Sequence, residues 1–407
     1  MGVFRGMVAG LVLVGAVGAS GQSIEKLGAF EVPGLARIGG MAFSGISGID
    51  FDPQSGLGIV VSNDTGTRHP VRFMAVTAVM DSDELVHFAP LRAQALNNPD
   101  GSVFAPGLHR PGAVRIIPAD PIGDEPYLVW ASEGVPGTGE PAGVYEMCTG
   151  ATHMDGYQLS PYMTALPGSQ GPRDDRAYES LALMPDHSLI AATAQPLFQD
   201  GPVVMRGAGS GPVRLVHLDY WSASTMHEYV YVLDEPPADA PEGAERSLVE
   251  LVAINEKELL AIESIMVPGQ RRSPRADTEL YIVSLENATD VRGVSSLSDG
   301  DSAYRPVAKR KLGDSASLGL PDARFAAGTF WHELDDGRQG LLLISDNAND
   351  AYRPTHVVGL AVDGLEPVRP FTKAGEREPG VTPGPHRFEP ARYGPWVPPS
   401  ARATANR

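Results

Sequence analysis

The sequence contains one cysteine, Cys148, among 407 residues. A single thiol cannot form a disulfide within the chain, so the fold must be stabilised by a large apolar core. Helical patterning is equally scarce, because no stretch keeps a 3.6-residue apolar period over three turns. Instead, 46 glycines and 36 prolines divide the chain into short segments. These features exclude a helical bundle and predict an all-β protein.

Positive charge is also scarce. The formal net charge is −18 at pH 7, whereas nucleic acids and anionic membranes bind proteins through basic patches. No stretch after the N-terminal segment is apolar for the roughly 20 residues that a membrane-spanning helix needs. We therefore expect neither nucleic acid as a partner nor a membrane span. The sequence leaves the oligomeric state undetermined.

The first 22 residues have the pattern of a secretory signal peptide. Arg5 precedes an apolar stretch at residues 7–17, and small residues follow it. The pattern predicts cleavage near Ala19 to Gln22 and export to the periplasm or the cell exterior. The alternative is a buried N-terminal helix, which the charged start and the small-residue end disfavour.

A unit of two apolar strands joined by a polar turn recurs five times. Its copies begin at residues 46, 112, 179, 247 and 327. Further strand candidates follow each copy, and four strands per unit are typical of a propeller blade. The sequence therefore predicts a β-propeller of four-stranded blades. Five blades are visible, and the long stretches between them leave room for a sixth.

The fifth unit lacks a fourth strand, while an apolar run at residues 27–32 precedes the first unit. We expect this run to complete the last blade and close the ring, because closure removes open sheet edges. The propeller domain then covers residues 23–366. Residues 367–407 are rich in proline and arginine without a strand pattern, which predicts a poorly ordered tail.

Short motifs with acidic residues lie near the ends of the predicted strands. They are Gly45-Ile-Ser-Gly-Ile-Asp-Phe-Asp52, Ser62-Asn-Asp64, Trp130-Ala-Ser-Glu-Gly134, Arg173-Asp-Asp-Arg-Ala-Tyr-Glu-Ser180, Leu259-Leu-Ala-Ile-Glu263 and Leu342-Leu-Ile-Ser-Asp-Asn347. In order and spacing they resemble the phytase-like domain family, also called the "esterase-like activity of phytase" family. The resemblance covers about residues 25–365. It implies an exported bacterial propeller-like domain with a poorly defined activity.

The resemblance implies acidic residues where strands enter or leave the repeat. Equivalent strand ends in a propeller meet at one mouth of the central channel, where oxygen ligands can hold Ca²⁺. The candidate metal ligands are Asp64, Glu133, Glu179, Glu263 and Asp346, and the candidate substrate-binding residues are Arg173, Asp174 and Glu179. The alternative is that these acids pair with Arg173 and backbone amides to lock the blades together.

This chain departs from the family pattern at four positions. Gly112, Ala194 and Ala327 stand where the resemblance leads us to expect glutamate. Ser264 stands where it leads us to expect arginine. Fewer carboxylates at the mouth would weaken a site for a hard cation.

Two function hypotheses follow. The first is a metal-assisted hydrolase of phosphate or carboxylate esters, with no catalytic residue assigned. The second is a non-catalytic propeller that binds a small molecule or a protein partner at the channel mouth outside the cytoplasm. The sequence contains neither Gly-x-Ser-x-Gly nor His-Glu-x-x-His. Their absence argues against an α/β-hydrolase and a zinc protease.

Overall fold

The computed structural model describes residues 21–98, 100–117, 127–135, 141–148, 154–166, 168–268, 276–298 and 303–369. The predicted signal peptide lies outside these ranges except for its last two residues, and so does the predicted tail beyond residue 369. Within them the fold is almost entirely β. The helical elements described are a 3₁₀ turn, Pro161–Met163, and a short helix α1, Ser315–Leu318. Neither is long and apolar enough to cross a membrane.

The first half of the chain supplies the N-terminal strand, a small hairpin and two four-stranded sheets. The strands are β1 Ser23–Val32, β2 Arg37–Ile38, β3 Met41–Ala42, β4 Ile46–Asp52, β5 Leu57–Ser62, β6 Arg72–Met80, β7 Leu85–Ala95, β8 Pro111–Ile117, β9 Tyr127–Ser132, β10 Gly143–Cys148 and β11 Met154–Gly156. Strands β4 to β7 form blade one, and β8 to β11 form blade two. Each blade is an antiparallel meander.

The second half supplies three more sheets. The strands are β12 Tyr178–Leu183, β13 Leu189–Thr193, β14 Gly211–Asp219, β15 Ser224–Leu233, β16 Glu245–Ala253, β17 Glu258–Met266, β18 Asp277–Ser284, β19 Ala308–Asp314, β20 Arg324–Glu333, β21 Gln339–Asp346 and β22 Thr355–Asp363. Blade three contains β12 to β15, and blade four contains β16 to β19. Blade five contains β20 to β22 together with β1. The described chain therefore forms a β-propeller with five blades.

The apolar core lies between neighbouring blades. One cluster of buried side chains fills each of the five junctions around the ring. Trp130 of blade two, for example, packs with Phe73 of blade one, and neither exposes more than 5% of its surface. A blade packed on both faces needs strands that are apolar on both sides, as in β13, which is buried throughout. This explains the short, continuous apolar runs of the sequence.

The N-terminal strand closes the ring, as the sequence predicts. β1 pairs antiparallel with β22, with Ser23 opposite Asp363 and Val32 opposite Thr355. It therefore supplies the outermost strand of blade five, although it begins four residues earlier than the predicted run. The pairing protects the edge of β22 that would otherwise be open.

The first strand of each blade lies innermost, because β4, β8, β12, β16 and β20 contact one another around the axis. Each of the five shifts register by one residue against its neighbour. The extra residues are Ser47, Gly112, Glu179, Val249 and Ala326. Bulges bend a strand and redirect a side chain. Glu179 is the acidic residue among these five equivalent positions.

The innermost strands end at one end of the axis around a small cavity, the narrow mouth, which is lined by residues such as Asp50 and Phe330 and by Val368 and Arg369. The backbone amide of Val368 donates to the carbonyl of Ile254 at 2.7 Å. The Arg369 guanidinium donates to Asp50 Oδ1 and to Thr329 Oγ1, both at 3.2 Å. The cavity left there is only about 40 Å³. The first described residues of the predicted tail are thus bound to the propeller.

Candidate functional site

The innermost strands begin at the opposite end of the axis, around a cavity of about 1250 Å³. We call this cavity the wide mouth. Its charged lining residues are Asp64, Arg68, Arg110, Glu133, Asp175, Arg176, Glu179, Glu245, Asp322, Arg324, Asp346, Asp350 and Arg353. Asparagine, serine and threonine side chains line much of the remainder. The wide mouth is therefore polar and bears charges of both signs.

Arg324 connects two of the predicted carboxylates at the wide mouth. Its Nη2 donates to Glu179 Oε2 at 2.5 Å, and its Nη1 donates to Asp346 Oδ2 at 3.3 Å. Asn63 Nδ2 also donates to Asp346 Oδ2, at 2.9 Å. The arrangement follows from the fold, since Arg324 begins β20, Asp346 ends the adjacent β21 and Glu179 occupies the bulge of β12.

Glu133 lies beside this group, directly after the end of β9. The residue is partly exposed, but its Oε2 is buried and has no hydrogen-bond partner among the described residues. Burial raises the pKa of Glu133 to about 8, and the charge of Glu179 acts in the same direction. Arg110 and Arg324 oppose the rise. The pKa of Glu133 therefore lies well above its ordinary value, which favours its protonated form.

Glu179 lies near Glu133 but has a cationic hydrogen-bond partner, Arg324. Burial raises the pKa of Glu179 too, but the Arg324 guanidinium opposes this and forms a charge-assisted hydrogen bond with its carboxylate. Two neighbouring carboxyl groups in a buried setting do not both ionise readily. Of the two, Glu179 has a cationic partner that favours its ionised form, whereas the buried oxygen of Glu133 has no hydrogen-bond partner among the described residues.

Two further ion pairs complete the rim. Arg110, which directly precedes β8, pairs with Asp175. Arg176 binds both carboxylate oxygens of Glu245, each at 2.7 Å. None of these four residues was predicted as a site residue. Asp175 and Arg176 lie within the Arg173 to Ser180 motif, and this position was the one feature of the sequence that pointed to them.

The carboxylates of Asp64 and Glu263, two predicted metal ligands, already accept several hydrogen bonds from the protein. Asp64 is buried, pairs with Arg72 at 3.2 Å and accepts backbone amides of the turn that follows it. Glu263 does not line the wide mouth. It lies within blade four, fully buried, and accepts hydrogen bonds from Arg246 at 2.6 Å and Lys309 at 2.8 Å. The structure thus brings Glu133, Glu179 and Asp346 together but leaves Glu263 apart.

Arg173 and Asp174, the predicted substrate-binding residues besides Glu179, do not line the wide mouth either. Arg173 donates to the carbonyls of Pro196 at 3.0 Å and Gly201 at 2.6 Å. Its guanidinium lies over the ring of Phe198, 4.2 Å from the centroid. Asp174 is exposed. In this arrangement Arg173 holds a loop of blade three, and Glu179 bonds to Arg324 rather than to Arg173.

The positions that depart from the family pattern are closely packed. A Cβ atom on Gly112 would lie 2.3 Å from the carbonyl oxygen of Tyr178, so a glutamate does not fit there without a backbone shift. Ala194 and Ala327 are at most 1% exposed. Ser264, which replaces the expected arginine, lines the wide mouth and is 1% exposed.

The predicted metal ligands Glu179 and Asp346 are paired with an arginine at the wide mouth. Ca²⁺ takes six to eight oxygen ligands. Among the described residues, no three acidic, histidine or cysteine side chains are arranged to hold a metal ion. Glu179 and Asp346 instead share the cationic Arg324. The guanidinium compensates the negative charge that a cation would otherwise balance.

Comparison with known proteins gives distant structural neighbours and a clear family. No curated protein matches the sequence. The solved structures that are similar to it include a glucose dehydrogenase (14% identity, 83% of this chain and 98% of that chain, TM-score 0.34). Another is the N-terminal domain of Nup159 (9% identity, 86% of this chain and 98% of that chain, TM-score 0.31). A third is the Dos1 propeller (8% identity, 78% of this chain and 68% of that chain, TM-score 0.32). The family described as phytase-like, esterase-like activity of phytase, matches residues 41–349. The chain therefore belongs to the phytase-like family.

Proposed function

We propose that this chain is an exported hydrolase that cleaves a phosphate or carboxylate ester in the wide mouth, with Glu133 as the acid. The observation that carries the proposal is the pair of neighbouring carboxyl groups in unequal surroundings. Glu133 has a buried oxygen without a partner, whereas Glu179 is held by Arg324 at 2.5 Å. Burial raises the pKa of both groups, but only Glu179 has a cationic partner that favours its ionised form, so we assign Glu133 as the acid and Glu179 as the base.

The roles follow from these protonation states. Water attacks the carbonyl carbon or the phosphorus atom of the ester, and ionised Glu179 accepts a proton from that water. The bond to the leaving oxygen breaks, and Glu133 donates its proton to that oxygen, so that an acid and an alcohol form. The guanidinium groups of Arg110 and Arg324 stabilise the negative charge that develops. No step requires a metal ion.

The test compares two esters that differ in leaving group. We expect Glu133→Gln to lower kcat by roughly 10² to 10⁴ for a phenyl ester, because phenolate needs a proton to leave. The loss should be smaller for the matching p-nitrophenyl ester, whose leaving group is stable without one. Wild-type activity should fall as the pH rises through about 8, where Glu133 loses its proton.

Glu256→Gln is the matched control, since Glu256 is exposed and distant from the lining of the wide mouth. Its kinetics should equal those of the wild type. A folded protein that cleaves neither acetate nor phosphate esters between pH 5 and 9 would contradict the proposed hydrolase. Equal losses of Glu133→Gln on both leaving groups would contradict the role of Glu133.

A second candidate is a non-catalytic propeller that binds its ligand in the same mouth. Among the described lining residues, no hydroxyl group is hydrogen-bonded to an imidazole ring or a carboxylate; the Ser345 hydroxyl accepts from the backbone amide of His356. The described lining therefore offers no activated protein nucleophile of the usual kind. Ligand binding without turnover in the assay above would favour this candidate.

A further inference from the structure

We infer that the alcohol part of the substrate that enters the wide mouth is polyhydroxylated and carries no further charged groups, and that Glu133 and Ser264 contact it by hydrogen bonds. The inference rests on the proposed function in one respect, the placement of the substrate in this cavity. It adds the chemical class of the part of the substrate that enters. It also separates this chain from an enzyme that binds a highly phosphorylated ring.

Two buried polar atoms at the wide mouth lack partners. Ser264 lines the cavity and is 1% exposed, and its Oγ has no hydrogen-bond partner among the described residues. The same holds for Oε2 of Glu133. Buried polar groups are normally satisfied, so such exceptions indicate a bound water or a ligand. A serine hydroxyl and a protonated carboxyl are both uncharged, and each can donate and accept.

The charged groups of the mouth, by contrast, are already engaged. Arg176 holds Glu245 with two hydrogen bonds of 2.7 Å, and Arg324 is held by Glu179 and Asp346. Arg68 donates to the carbonyl of Asn349. A phosphate group would have to displace a carboxylate or a carbonyl from each guanidinium it bound.

The net negative charge of the described lining residues also disfavours an anionic ligand. Among the described lining residues, eight are aspartate or glutamate and five are arginine. The excess is three negative charges, or two when Glu133 is protonated. A polyanion entering this cavity would be repelled, whereas a neutral ligand would not.

A tyrosine at the rim suits a ring-shaped polyol. The cavity of about 1250 Å³ exceeds the roughly 300–1,000 Å³ of ordinary ligand pockets, so size alone excludes neither a polyol nor its phosphates. Tyr352 lies at the rim and is 94% exposed. Its ring offers an apolar face and a hydroxyl, a combination that fits the C–H face and the oxygens of a polyol.

The experiment uses the whole chain and three ligands with one ring and increasing charge. They are myo-inositol, myo-inositol monophosphate and inositol hexakisphosphate, and titration calorimetry at low salt measures their binding. We expect affinity to fall along this series, by about tenfold or more between the first and the last. Ser264→Ala should weaken myo-inositol binding about fivefold, the effect of one lost hydrogen bond.

Thr278→Val is the matched control for the serine variant. Thr278 also has a buried hydroxyl without a partner among the described residues, but it does not line the wide mouth. It should leave myo-inositol binding unchanged. Neither variant should lower the melting temperature, because the hydroxyl that each removes is unsatisfied in the folded protein.

Two results would overturn the inference. One is tighter binding of inositol hexakisphosphate than of myo-inositol, and the other is no binding of myo-inositol at millimolar concentration. Both are independent of turnover. If affinity falls with ligand charge as expected but esters are not cleaved, the inferred ligand class is supported and the proposed hydrolase is contradicted.

Discussion

Arg115 of blade two donates from Nη2 to Oε1 of Glu250 in blade four at 2.8 Å. The two residues lie on innermost strands that are separated by blade three. Arg115 also donates from Nη1 to the carbonyl of Ile49 in blade one at 2.8 Å. Both charged side chains are at most 2% exposed. One buried guanidinium therefore connects three of the five blades at the axis.

Arg115→Met should strongly destabilise the propeller. The substitution leaves the Glu250 carboxylate buried without its partner, and breaking one side of a buried pair costs about 3–5 kcal/mol. Denaturant unfolding measures the loss. The double variant Arg115→Met with Glu250→Met should recover much of it, because it removes both charges. A double variant that is as unstable as the single one would show that packing, not charge, explains the effect.

Deletion of β1, residues 23–32, should open the ring. The deletion exposes the edge of β22, so we expect a large drop in melting temperature and an increase in aggregation measured by light scattering. A synthetic peptide of the same ten residues, added in trans, should restore part of the melting temperature. A peptide of the same composition in scrambled order is the control. An unchanged melting temperature of the truncated chain would contradict closure by this strand.

Glu133→Gln should raise stability at pH 8 and leave it nearly unchanged at pH 4. The folded-state pKa of Glu133, about 8, lies above its ordinary value near 4.5. Between these values the folded state holds a proton that the unfolded state has released, so wild-type stability falls as the pH rises. Glutamine does not ionise and avoids this loss. Thermal melts across pH 4–9 measure the difference, and a constant offset between the two proteins would contradict the raised pKa.

Arg369→Ala should loosen the narrow mouth. The arginine donates to Asp50, Thr329 and the carbonyls of Phe51 and Phe330. Loss of this charged donor should cost about 1–3 kcal/mol in denaturant unfolding. Arg37→Ala is the control, since Arg37 is exposed on the small hairpin and should have almost no effect. Equal stability of the two variants would show that residues 368 and 369 only rest on the surface.

Much of the fold could be predicted because each blade repeats a local pattern. The observed innermost strands begin at Ile46, Pro111, Tyr178, Glu245 and Arg324, within three residues of the predicted starts. The closing strand was predictable from an unpaired apolar run and a missing partner. The bulges at Gly112 and Glu179 were not, because a register shift depends on the neighbouring strand and leaves no fixed mark in the sequence.

The candidate site was predictable only in part. Glu133 and Asp346 lie at the ends of the second strands of their blades and Glu179 at the start of a first strand, and these ends meet at one mouth. Arg324 was missed because it precedes the recognisable repeat and finds Glu179 145 residues away. Arg173 was selected for its neighbouring acids, but its contacts with Pro196 and Phe198 are set by a loop that returns from later in blade three.

The pairing of β1 with β22 has a consequence for how the protein is made. The ribosome synthesises β1 some 320 residues before its partner β22, so β1 cannot pair until β22 has been made. Until then the growing chain holds an incomplete ring whose terminal strands have no lasting partners, and such edges associate readily with other chains. The last blade therefore cannot be completed before residues 355–363 have been synthesised, and a chain truncated before residue 355 lacks the strand that β1 pairs with.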